Sequence, residues 1–442
     1  MGRRRRKQIP TEPVDADIDD LSHDGRGVAR VNGKAVFVDN ALPGERVSFR
    51  YTWTRQRFDE ARTEQVLEPA AERVEPPCAH TAICGGCSLQ HLDPEAQRRR
   101  KAAVLAEQLE HFGGLTPEHW LAPLTGPETG YRGQARLGVK YLDDKGALVG
   151  FREKRSSLVA DIRQCEILRP ELGHHLTELR ELIAGLDTRR RIPQIEVSAG
   201  DDALALIFRH LDPLPEADRQ RLIDFCRARQ WHCFLQPGNE DTVHRIWPED
   251  GDERLHIRHA DFDVELAFHP VDFMQVNPEM NRRMVPRALE LLQVEPGHRV
   301  LDLFCGLGNF SLPLARRAGE VVGVEGSRAM VERGYENARR NGLDNADFYS
   351  WDLTRDPARQ PWAERGFDRV LLDPPRSGAA EMIEHLPKLG AQRVVYVSCN
   401  PATLARDAGD LSRHGYCLES AGIMDMFPHT NHTESIAVFR RR

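Results

Sequence analysis

The C-terminal part of the chain alternates between two hydrophobic patterns. From Asn277 onward, short apolar runs such as RVLDLF, EVVGVE, FDRVLLD and RVVYVS are separated by amphipathic segments such as SRAMVERGYENARRNG. Short apolar runs are typical of buried parallel strands, and the amphipathic segments are typical of helices. The alternation predicts an α/β domain over residues 271–442, with a doubly wound, Rossmann-like parallel sheet.

Residues 1–70 show a different pattern, in which β-rich runs such as GRGVARV, KAVFVDN and FDEARTEQVLEP are broken by turn residues. Four or five short strands in so little chain predict a small OB-like β-barrel. Basic and aromatic residues interleave from Arg50 to Phe58, a mixture that can stack bases while holding phosphates. The alternative is strand-face aromatics beside solvated arginines. The segment resembles the TRAM domain, an RNA-binding module.

The middle of the chain, residues 71–270, predicts an α+β domain. Helical patterns occur at residues 94–111 and 217–229, a hairpin pattern occurs in YRGQARLGVKYLDDKGALVGFREK, and further strand patterns occur in IPQIEVSAG, DALALIFRHL and RLHIRHADFDVELAF. From about Gly113 to Pro270, apart from Cys165, the sequence shows no catalytic constellation.

Chain length and charge bear on the number of domains and on the kind of partner that the protein binds. At roughly 150 residues per domain, 442 residues agree with three domains. The net charge of -7 argues weakly against nucleic-acid binding, but four basic runs, at residues 3–7, 98–101, 189–191 and 440–442, could contact phosphates; solvated surface is their default reading. We find neither a long apolar run nor a signal peptide, and therefore expect a cytoplasmic protein without a membrane partner.

The nine cysteines favour thiol chemistry or metal binding over a disulfide framework. Cys78, Cys84 and Cys87 are spaced as C-x5-C-x2-C, and Cys165 is the best candidate for a fourth ligand. Four thiolates suit either zinc or an iron-sulfur cluster, and the single C-x2-C pair favours the cluster. Cys226 and Cys233 are interpreted as core residues.

A glycine-containing turn follows the first apolar run of the C-terminal domain, in LDLFCGLGNF. Gly306 and Gly308 allow the backbone to approach a ligand, and Glu325 ends the next strand, where it could bind ribose hydroxyls. A dinucleotide motif would require a third glycine where this chain has Ser311. The pattern instead resembles S-adenosylmethionine methyltransferases, in which the residues corresponding to Asp302, Phe304, Asn309 and Glu325 surround the amino acid and ribose and Asp352 faces the adenine.

Two further strands end in reactive groups. The turn Asp373-Pro374-Pro375 follows the fourth strand, where many methyltransferases place a carboxylate or amide between cofactor and target. The fifth strand ends at Ser398-Cys399, so Cys399 should reach the same sheet edge. A lone cysteine is more often a small buried hydrophobe. However, some methylation reactions require a cysteine, whereas methylation of an exocyclic amine does not. C5 of uracil becomes nucleophilic only after a thiolate adds at C6, and a base must then remove the C5 proton.

The blocks DLFCGLGNFSLPLA, DPPRSG, SCNPATLARD and HTESIAVF resemble the bacterial RNA uracil-C5 methyltransferase family, and the barrel with four cysteines resembles the branch that acts on 23S rRNA. The resemblance spans essentially the whole chain. It implies that Cys399 is the nucleophile and Glu434 the base, that S-adenosylmethionine and a [4Fe-4S] cluster are the cofactors, and that the enzyme needs no obligate protein partner and acts as a monomer. The implied cofactor contacts are Gln275, Phe304, Asn309, Glu325, Asp352 and Asp373, and the implied cluster ligands are Cys78, Cys84, Cys87 and Cys165.

Alternatives remain at this point. At Asp352 the family often has Asn, although either side chain can accept from an adenine amino group. The target could be a different uridine of ribosomal or transfer RNA. The chain could also be a redox-sensing RNA-binding protein with a vestigial methyltransferase domain, although the intact SCNP and DPPR motifs argue against decay. Radical methylthiotransferases use a tighter cysteine spacing and fit poorly.

Overall fold

The computed structural model describes residues 9–442, so the basic run at residues 3–7 lies outside the described residues. The N-terminal strands form one six-stranded sheet with the order β1-β5-β6-β4-β3-β2. They are β1 (Val14–Asp17), β2 (Asp20–Leu21), β3 (Gly27–Val31), β4 (Lys34–Asp39), β5 (Arg46–Thr54) and β6 (Phe58–Glu68). Only Ile18 and Asp19 separate β1 from β2, which stand at opposite ends of the order, so the sheet curves until its ends meet. The predicted small barrel is confirmed, around a core that includes Val36, Val47 and Phe49.

A helix and a short strand follow the cysteine-rich loop: α1 (Pro94–Gln108) and β7 (His119–Trp120). Asp93 caps α1 by accepting a hydrogen bond from the Ala96 N–H, and Pro94 occupies the first turn, where its missing N–H costs nothing. The helix predicted at residues 94–111 is therefore confirmed.

The central sheet has the order β13-β12-β11-β10-β8-β9. Its strands are β8 (Gln134–Leu142), β9 (Gly146–Gly150), β10 (Gln194–Ala199), β11 (Leu204–Arg209), β12 (His232–Gln236) and β13 (His244–Trp247), and its helices are α2 (Pro170–Gly173), α3 (Leu176–Ala184) and α4 (Glu216–Arg227). Cys226 and Cys233 are fully buried in the core beneath these helices, as predicted. A hairpin of β14 (Leu255–His259) and β15 (Val264–Phe268) follows.

The C-terminal domain contains an eight-stranded sheet with the order β18-β17-β16-β19-β20-β22-β21-β7. Its elements are α5 (Pro278–Leu292), β16 (Arg299–Leu303), α6 (Ser311–Ala315), β17 (Glu320–Glu325), α7 (Arg328–Arg340), β18 (Ala346–Ser350), β19 (Arg369–Leu372), α8 (Ala380–Ile383), β20 (Arg393–Ser398), α9 (Pro401–Arg413), β21 (Tyr416–Met424) and β22 (Glu434–Arg441). The five strands β16 to β20 are parallel, as predicted, whereas β22 pairs antiparallel with both β20 and β21.

Packing crosses the boundary predicted at residue 270. The edge strand β7 pairs with β21, and Leu105 and Leu109 of the α1 region are buried in the core of the C-terminal sheet. The hairpin β14–β15 shares a core with α5. Helix α8 ends at Ile383, upstream of Pro387, which has no N–H to continue a helix. No helix within residues 9–442 combines the length and apolar character needed to span a membrane.

Candidate active site

The carboxyl ends of the parallel strands gather most of the predicted site residues. Phe304 follows β16, Glu325 ends β17, Asp373 follows β19 and Cys399 follows β20. Because parallel strands end at the same edge of a sheet, these residues face one crevice. The turn after β20 is held by Asn400, which caps α9 and donates to the carbonyl of Arg376 at 3.0 Å. The turns that carry Cys399 and Asp373 are therefore tied together.

Strand pairing determines where Glu434 lies. Ser398 and Ser435 are direct partners on the antiparallel strands β20 and β22, and the Ser435 hydroxyl donates to the Ser398 carbonyl at 3.3 Å. The next position along this register places Cys399 beside Glu434, the first residue of β22. Glu434 is buried, with 4% of its surface exposed. The structure thus brings together the predicted nucleophile and the predicted base, which are far apart in sequence.

Burial and mutual charge shift the ionisation of this group of residues. Burial raises the pKa of Glu434 to about 8, the charge of Asp373 adds to the shift, and Arg376 opposes it. Burial also raises the pKa of Asp373 to about 7. The pKa of the Cys399 thiol is raised by burial, then by Glu434 and Asp373, and is lowered by Arg376. The sequence motif predicted no role for Arg376, although a cation three positions after Asp373 was a signal for one.

The turn after β16 adopts the left-handed conformations that a close backbone approach requires. Phe304 has φ of 64°, rare for a non-glycine residue, and Gly306 and Gly308 have φ of 55° and 98°. The Glu325 carboxylate accepts from the N–H groups of Gly306 at 3.1 Å and Ser327 at 3.0 Å. This carboxylate therefore links the turns that follow β16 and β17.

Asp302 lies beneath this turn and is completely buried. One carboxylate oxygen accepts a hydrogen bond from the Ser311 hydroxyl, whereas Oδ1 is buried without a partner among the described residues. Burial raises the pKa of Asp302 to about 7. Since buried polar atoms normally have partners, the free acceptor indicates a ligand with a donor group at this position.

The other predicted cofactor residues, Asn309, Asp352 and Gln275, differ in their burial and in their hydrogen bonds. The Asn309 amide exchanges two hydrogen bonds with Asn281, at 2.8 and 2.9 Å, and its oxygen also contacts His259 Nε2 at 3.1 Å, so much of its bonding capacity is structural. Asp352 follows β18 but is exposed and binds its own turn through Thr354. Gln275 is half-buried just before α5, and its side chain has no hydrogen-bond partner within residues 9–442.

The four predicted metal ligands lie in one place outside the crevice. Cys78, Cys84, Cys87 and Cys165 all line a single cavity, together with Phe151 and other apolar side chains. Backbone N–H groups of His80 and Gly86 contact the sulfurs of Cys78 and Cys84, each at 3.4 Å. Within residues 9–442, no three His, Cys, Asp or Glu side chains form a group that could hold a metal ion. The four thiols thus line one cavity.

The basic runs are mostly paired within the chain. Lys101 is buried and bonds Asp425 at 2.7 Å, and Arg99 pairs with Glu72. The runs at residues 189–191 and 440–442 also pair with nearby carboxylates. On the barrel, in contrast, Trp53 is 50% exposed and the Arg55 guanidinium lies 5.7 Å from the centre of its ring. The barrel face is therefore a better candidate for RNA contact than the arginine runs.

Comparison with known proteins agrees with this geometry. A family described as a methyltransferase domain matches residues 294–411, and the TRAM domain family matches residues 11–52. A solved structure, tRNA (uracil-54, C5)-methyltransferase of Pyrococcus abyssi in complex with S-adenosyl-L-homocysteine, superposes with a TM-score of 0.73 at 24% identity, over 96% of this chain and 100% of that one. The fold and site together define a TRAM-containing, S-adenosylmethionine-dependent methyltransferase.

Relatives narrow this class to one family. The chain is 63% identical to 23S rRNA (uracil(1939)-C(5))-methyltransferase RlmD of Alcanivorax borkumensis, over 99% of both chains. It is 58% identical to the protein of the same name from Alkalilimnicola ehrlichii, over 100% of this chain and 99% of the relative. The chain belongs to the RlmD family of 23S rRNA (uracil-C5)-methyltransferases, which confirms the resemblance found in its motifs.

Proposed function

We propose that the protein transfers the methyl group of S-adenosylmethionine to C5 of a uridine in 23S rRNA and forms 5-methyluridine. The target is the uridine for which the relatives are named, uracil 1939. The observation that carries the proposal is the register that sets Cys399 beside Glu434, at the sheet edge where Asp373 and the glycine-containing turn lie. A thiol beside a carboxyl group is the pair that C5 methylation of uracil requires and that methylation of an exocyclic amine does not.

The residues around the glycine-containing turn fit S-adenosylmethionine. The free Oδ1 of Asp302 supplies a buried acceptor for its amino group, and Glu325 lies at the end of β17, where it can accept from ribose hydroxyls. Phe304 and Asn309 flank the turn, and Gln275, Asp352 and Asp373 complete the set that would hold the cofactor. When bound, S-adenosylmethionine supplies an electrophilic methyl group on a sulfonium sulfur.

The protein side chains carry out the remaining chemistry on the uracil ring. The Cys399 thiolate forms a bond to C6, and the electron pair of the C5–C6 double bond becomes available at C5, which takes the methyl group. Glu434 then removes the C5 proton, the C5–C6 double bond re-forms, and Cys399 leaves as a thiolate. A pKa of about 8 makes the ionised Glu434 carboxylate a stronger base than an ordinary carboxylate, and only the fraction of molecules in which Glu434 has lost its proton can carry out this step. The target base must leave its stack to reach Cys399.

The cysteine-lined cavity supports the assignment of a [4Fe-4S] cluster. Four thiols around the wall of one cavity suit a cluster better than a single zinc ion, which needs its ligands around one point. The cluster would be held by Cys78, Cys84, Cys87 and Cys165, and the backbone N–H contacts to two of these sulfurs are of the kind that tune such centres. The cavity lies apart from Cys399, so we assign the cluster a structural role.

The barrel would contribute contacts to the rRNA. Trp53 and Phe58 both lie close to the Arg55 guanidinium, at 5.7 and 5.4 Å from their ring centres. Exposed aromatic rings next to a cation can stack on bases while the cation meets a phosphate.

Mass-spectrometric mapping of 5-methyluridine tests the function. 23S rRNA from a strain lacking the protein should lack the modification, and the wild-type protein should restore it whereas Cys399→Ala should not. Cys417→Ala, which removes a half-buried thiol outside the crevice, is the matched control and should restore the modification. Undiminished methyl transfer by Cys399→Ala in a single-turnover assay would overturn the covalent mechanism.

A further inference from the structure

The segment that precedes Glu434 is held mainly by residues outside the C-terminal sheet. We call this segment, residues 425–433 between β21 and β22, the base loop. Within it His429 is 4% exposed and has φ of 65°, a left-handed conformation that is unfavourable for a non-glycine residue. Such a conformation persists only where surrounding contacts enforce it.

The first of these contacts comes from the chain that follows the cysteine motif. The backbone N–H groups of Ser88 and Leu89, directly after Cys87, both donate to the His429 carbonyl, at 3.0 and 2.9 Å. The Ser88 hydroxyl also accepts from the Asn431 N–H at 3.2 Å. We call the segment from Cys78 to Leu89 the cysteine loop. The base loop is therefore bonded directly to the cysteine loop.

Gln97 of α1 connects the two loops a second time. It is 1% exposed, and its Oε1 accepts from the His429 N–H at 2.8 Å. Its Nε2 donates to the carbonyls of Leu89 at 3.0 Å and Leu92 at 2.7 Å. A side-chain amide can accept and donate at the same time, and here both functions are used between two loops. Leucine, methionine or alanine at this position would leave three buried backbone groups without this partner.

Further anchors hold the base loop on the same side. Lys101 Nζ bonds the Asp425 carboxylate at 2.7 Å and the Phe427 carbonyl at 2.9 Å. The Tyr131 hydroxyl donates to the Pro428 carbonyl at 3.0 Å. These anchors fix the first half of the loop. The path from His429 to Glu434 is held by Gln97, by the Ser88–Leu89 backbone and hydroxyl, and by the Asn431 side chain, which donates to the His23 carbonyl at 2.7 Å. Within this set, Gln97 alone bonds the His429 N–H.

We propose that Gln97 is a positioning residue for Glu434, acting through His429 and the base loop. The proposal rests on the proposed function, in which Glu434 removes the C5 proton. Loss of the Gln97 bonds lets the loop shift and slows this proton removal. The bond between Cys399 and C6 and the transfer of the methyl group do not use Glu434, so they continue, and the methylated RNA stays covalently bound to Cys399.

The test is a single-turnover reaction of the full-length, iron-loaded protein with a 23S rRNA transcript and S-adenosylmethionine labelled in the methyl group. Label in an SDS-resistant protein–RNA complex is followed separately from total methylated RNA. Gln97→Met keeps the side-chain volume and removes the hydrogen bonds. It should slow decay of the complex roughly tenfold, the effect of one lost buried hydrogen bond, with methyl transfer changed less than about twofold. Gln97→Glu retains the acceptor for His429 and should give an intermediate rate.

Gln108→Met is the matched control, because Gln108 lies on the same helix and its side chain makes no hydrogen bond within the described residues. Its rates of methyl transfer and of complex decay should equal those of the wild type. The iron content should be equal in all variants. A general loss of folding would reduce methyl transfer and complex formation together. Parallel loss of both, or a Gln97→Met complex that decays as fast as that of Gln108→Met, would overturn the proposal.

Two further variants separate the possible failures. Glu434→Gln should trap the complex more strongly than Gln97→Met. If it does not trap, the role of Glu434 in the proposed function is wrong; if it traps and Gln97→Met does not, the positioning role alone is wrong. Should Gln97→Met not fold, Ser88→Ala removes only the two hydroxyl bonds to Asn431 of the base loop, at 3.2 and 3.3 Å, and should slow decay in the same direction by a smaller factor. Unchanged decay in Ser88→Ala would then count against the proposal.

Discussion

Ser398 and Ser435 face each other on adjacent antiparallel strands, and this pairing sets the Cys399 thiol beside the Glu434 carboxyl group. A slip of one residue in β22 would turn the Glu434 side chain to the opposite face of the sheet. The proximity of Cys399 and Glu434 thus depends on the register of two strands and on the length of the base loop between β21 and β22.

The raised pKa of Glu434 makes stability depend on pH. Between its ordinary value of 4.5 and its folded value of about 8, the folded protein holds a proton that the unfolded chain has lost. The contribution of this group to stability is therefore complete below about pH 4.5 and is lost as the pH rises through about 8. We expect Glu434→Gln to melt about 2–6 °C above wild type at pH 9, with a much smaller difference at pH 5.

Melting curves across this pH range check the prediction. The exposed Glu332, which among residues 9–442 pairs with Arg328 alone, provides the control variant Glu332→Gln. The melting temperature of that variant should depend on pH in the same way as that of the wild type. If the melting temperature of Glu434→Gln differed from that of the wild type by the same amount at pH 5 and pH 9, this would contradict the assignment of a raised pKa to Glu434.

Arg376 should control the ionisation of Cys399. Its charge lowers the pKa of the Cys399 thiol, against the combined effect of burial, Glu434 and Asp373. We expect Arg376→Ala to raise this pKa further, so that alkylation of Cys399 at pH 8 becomes at least about threefold slower. The measurement is iodoacetamide labelling against pH, with the Cys399 peptide quantified by mass spectrometry. Labelling of Cys417 in the same samples is the internal control, and equal slowing at both cysteines would argue against a local charge effect.

Glu325 should contribute to binding of S-adenosylmethionine. Its carboxylate accepts from the N–H groups of Gly306 and Ser327, and a glutamine can accept through only one oxygen. We expect Glu325→Gln to weaken binding roughly tenfold, as for a lost charge-assisted hydrogen bond. Calorimetric titration with S-adenosylmethionine checks this. Glu320→Gln alters the opposite end of the same strand and should bind like wild type; similar losses in both variants would indicate a general effect on β17.

The cysteine cavity should bind iron. Anaerobic preparations of the wild type are expected to contain about four iron and four sulfide per chain, whereas Cys84→Ala should lose most of both because it removes one of four ligands. Cys226→Ala, in the core of the central sheet, should retain the iron. Iron and sulfide analysis with visible absorption decides the result. Zinc in place of iron in the anaerobic wild type would favour the alternative left open by the cysteine spacing.

Several predictions depended on local pattern, and these agree with the structure. Each of the strands β16, β17, β19 and β20 shows as a short apolar run, and the residues that follow them in sequence necessarily reach one edge of a parallel sheet. The glycine-containing turn is likewise local. The cysteine spacing is local too, and the metal site predicted from it stays a prediction. The strands β21 and β22 were not predicted, although YCLESAGIM and ESIAVFRR are apolar enough to have been recognised.

The basic run at residues 98–101 shows that a local sequence pattern does not identify the tertiary partners of a residue. The sequence pattern favours a solvated surface that could contact phosphates, but Lys101 is buried against Asp425, 324 positions away. Asn309 was expected to contact the cofactor, and its amide is largely engaged with Asn281 and His259. No local pattern identifies partners so distant in the chain.

The sequence by itself determined which residues could react and which strands would carry them, because hydrophobic period and motif spacing are properties of neighbouring residues. Only the tertiary structure decided that Cys399 meets Glu434, that Lys101 serves the base loop, and that Gln97 joins this loop to the cysteine loop. Strand register and the pairing of buried polar groups depend on the free energy of the whole packed chain, in which each partner is specified far from the other.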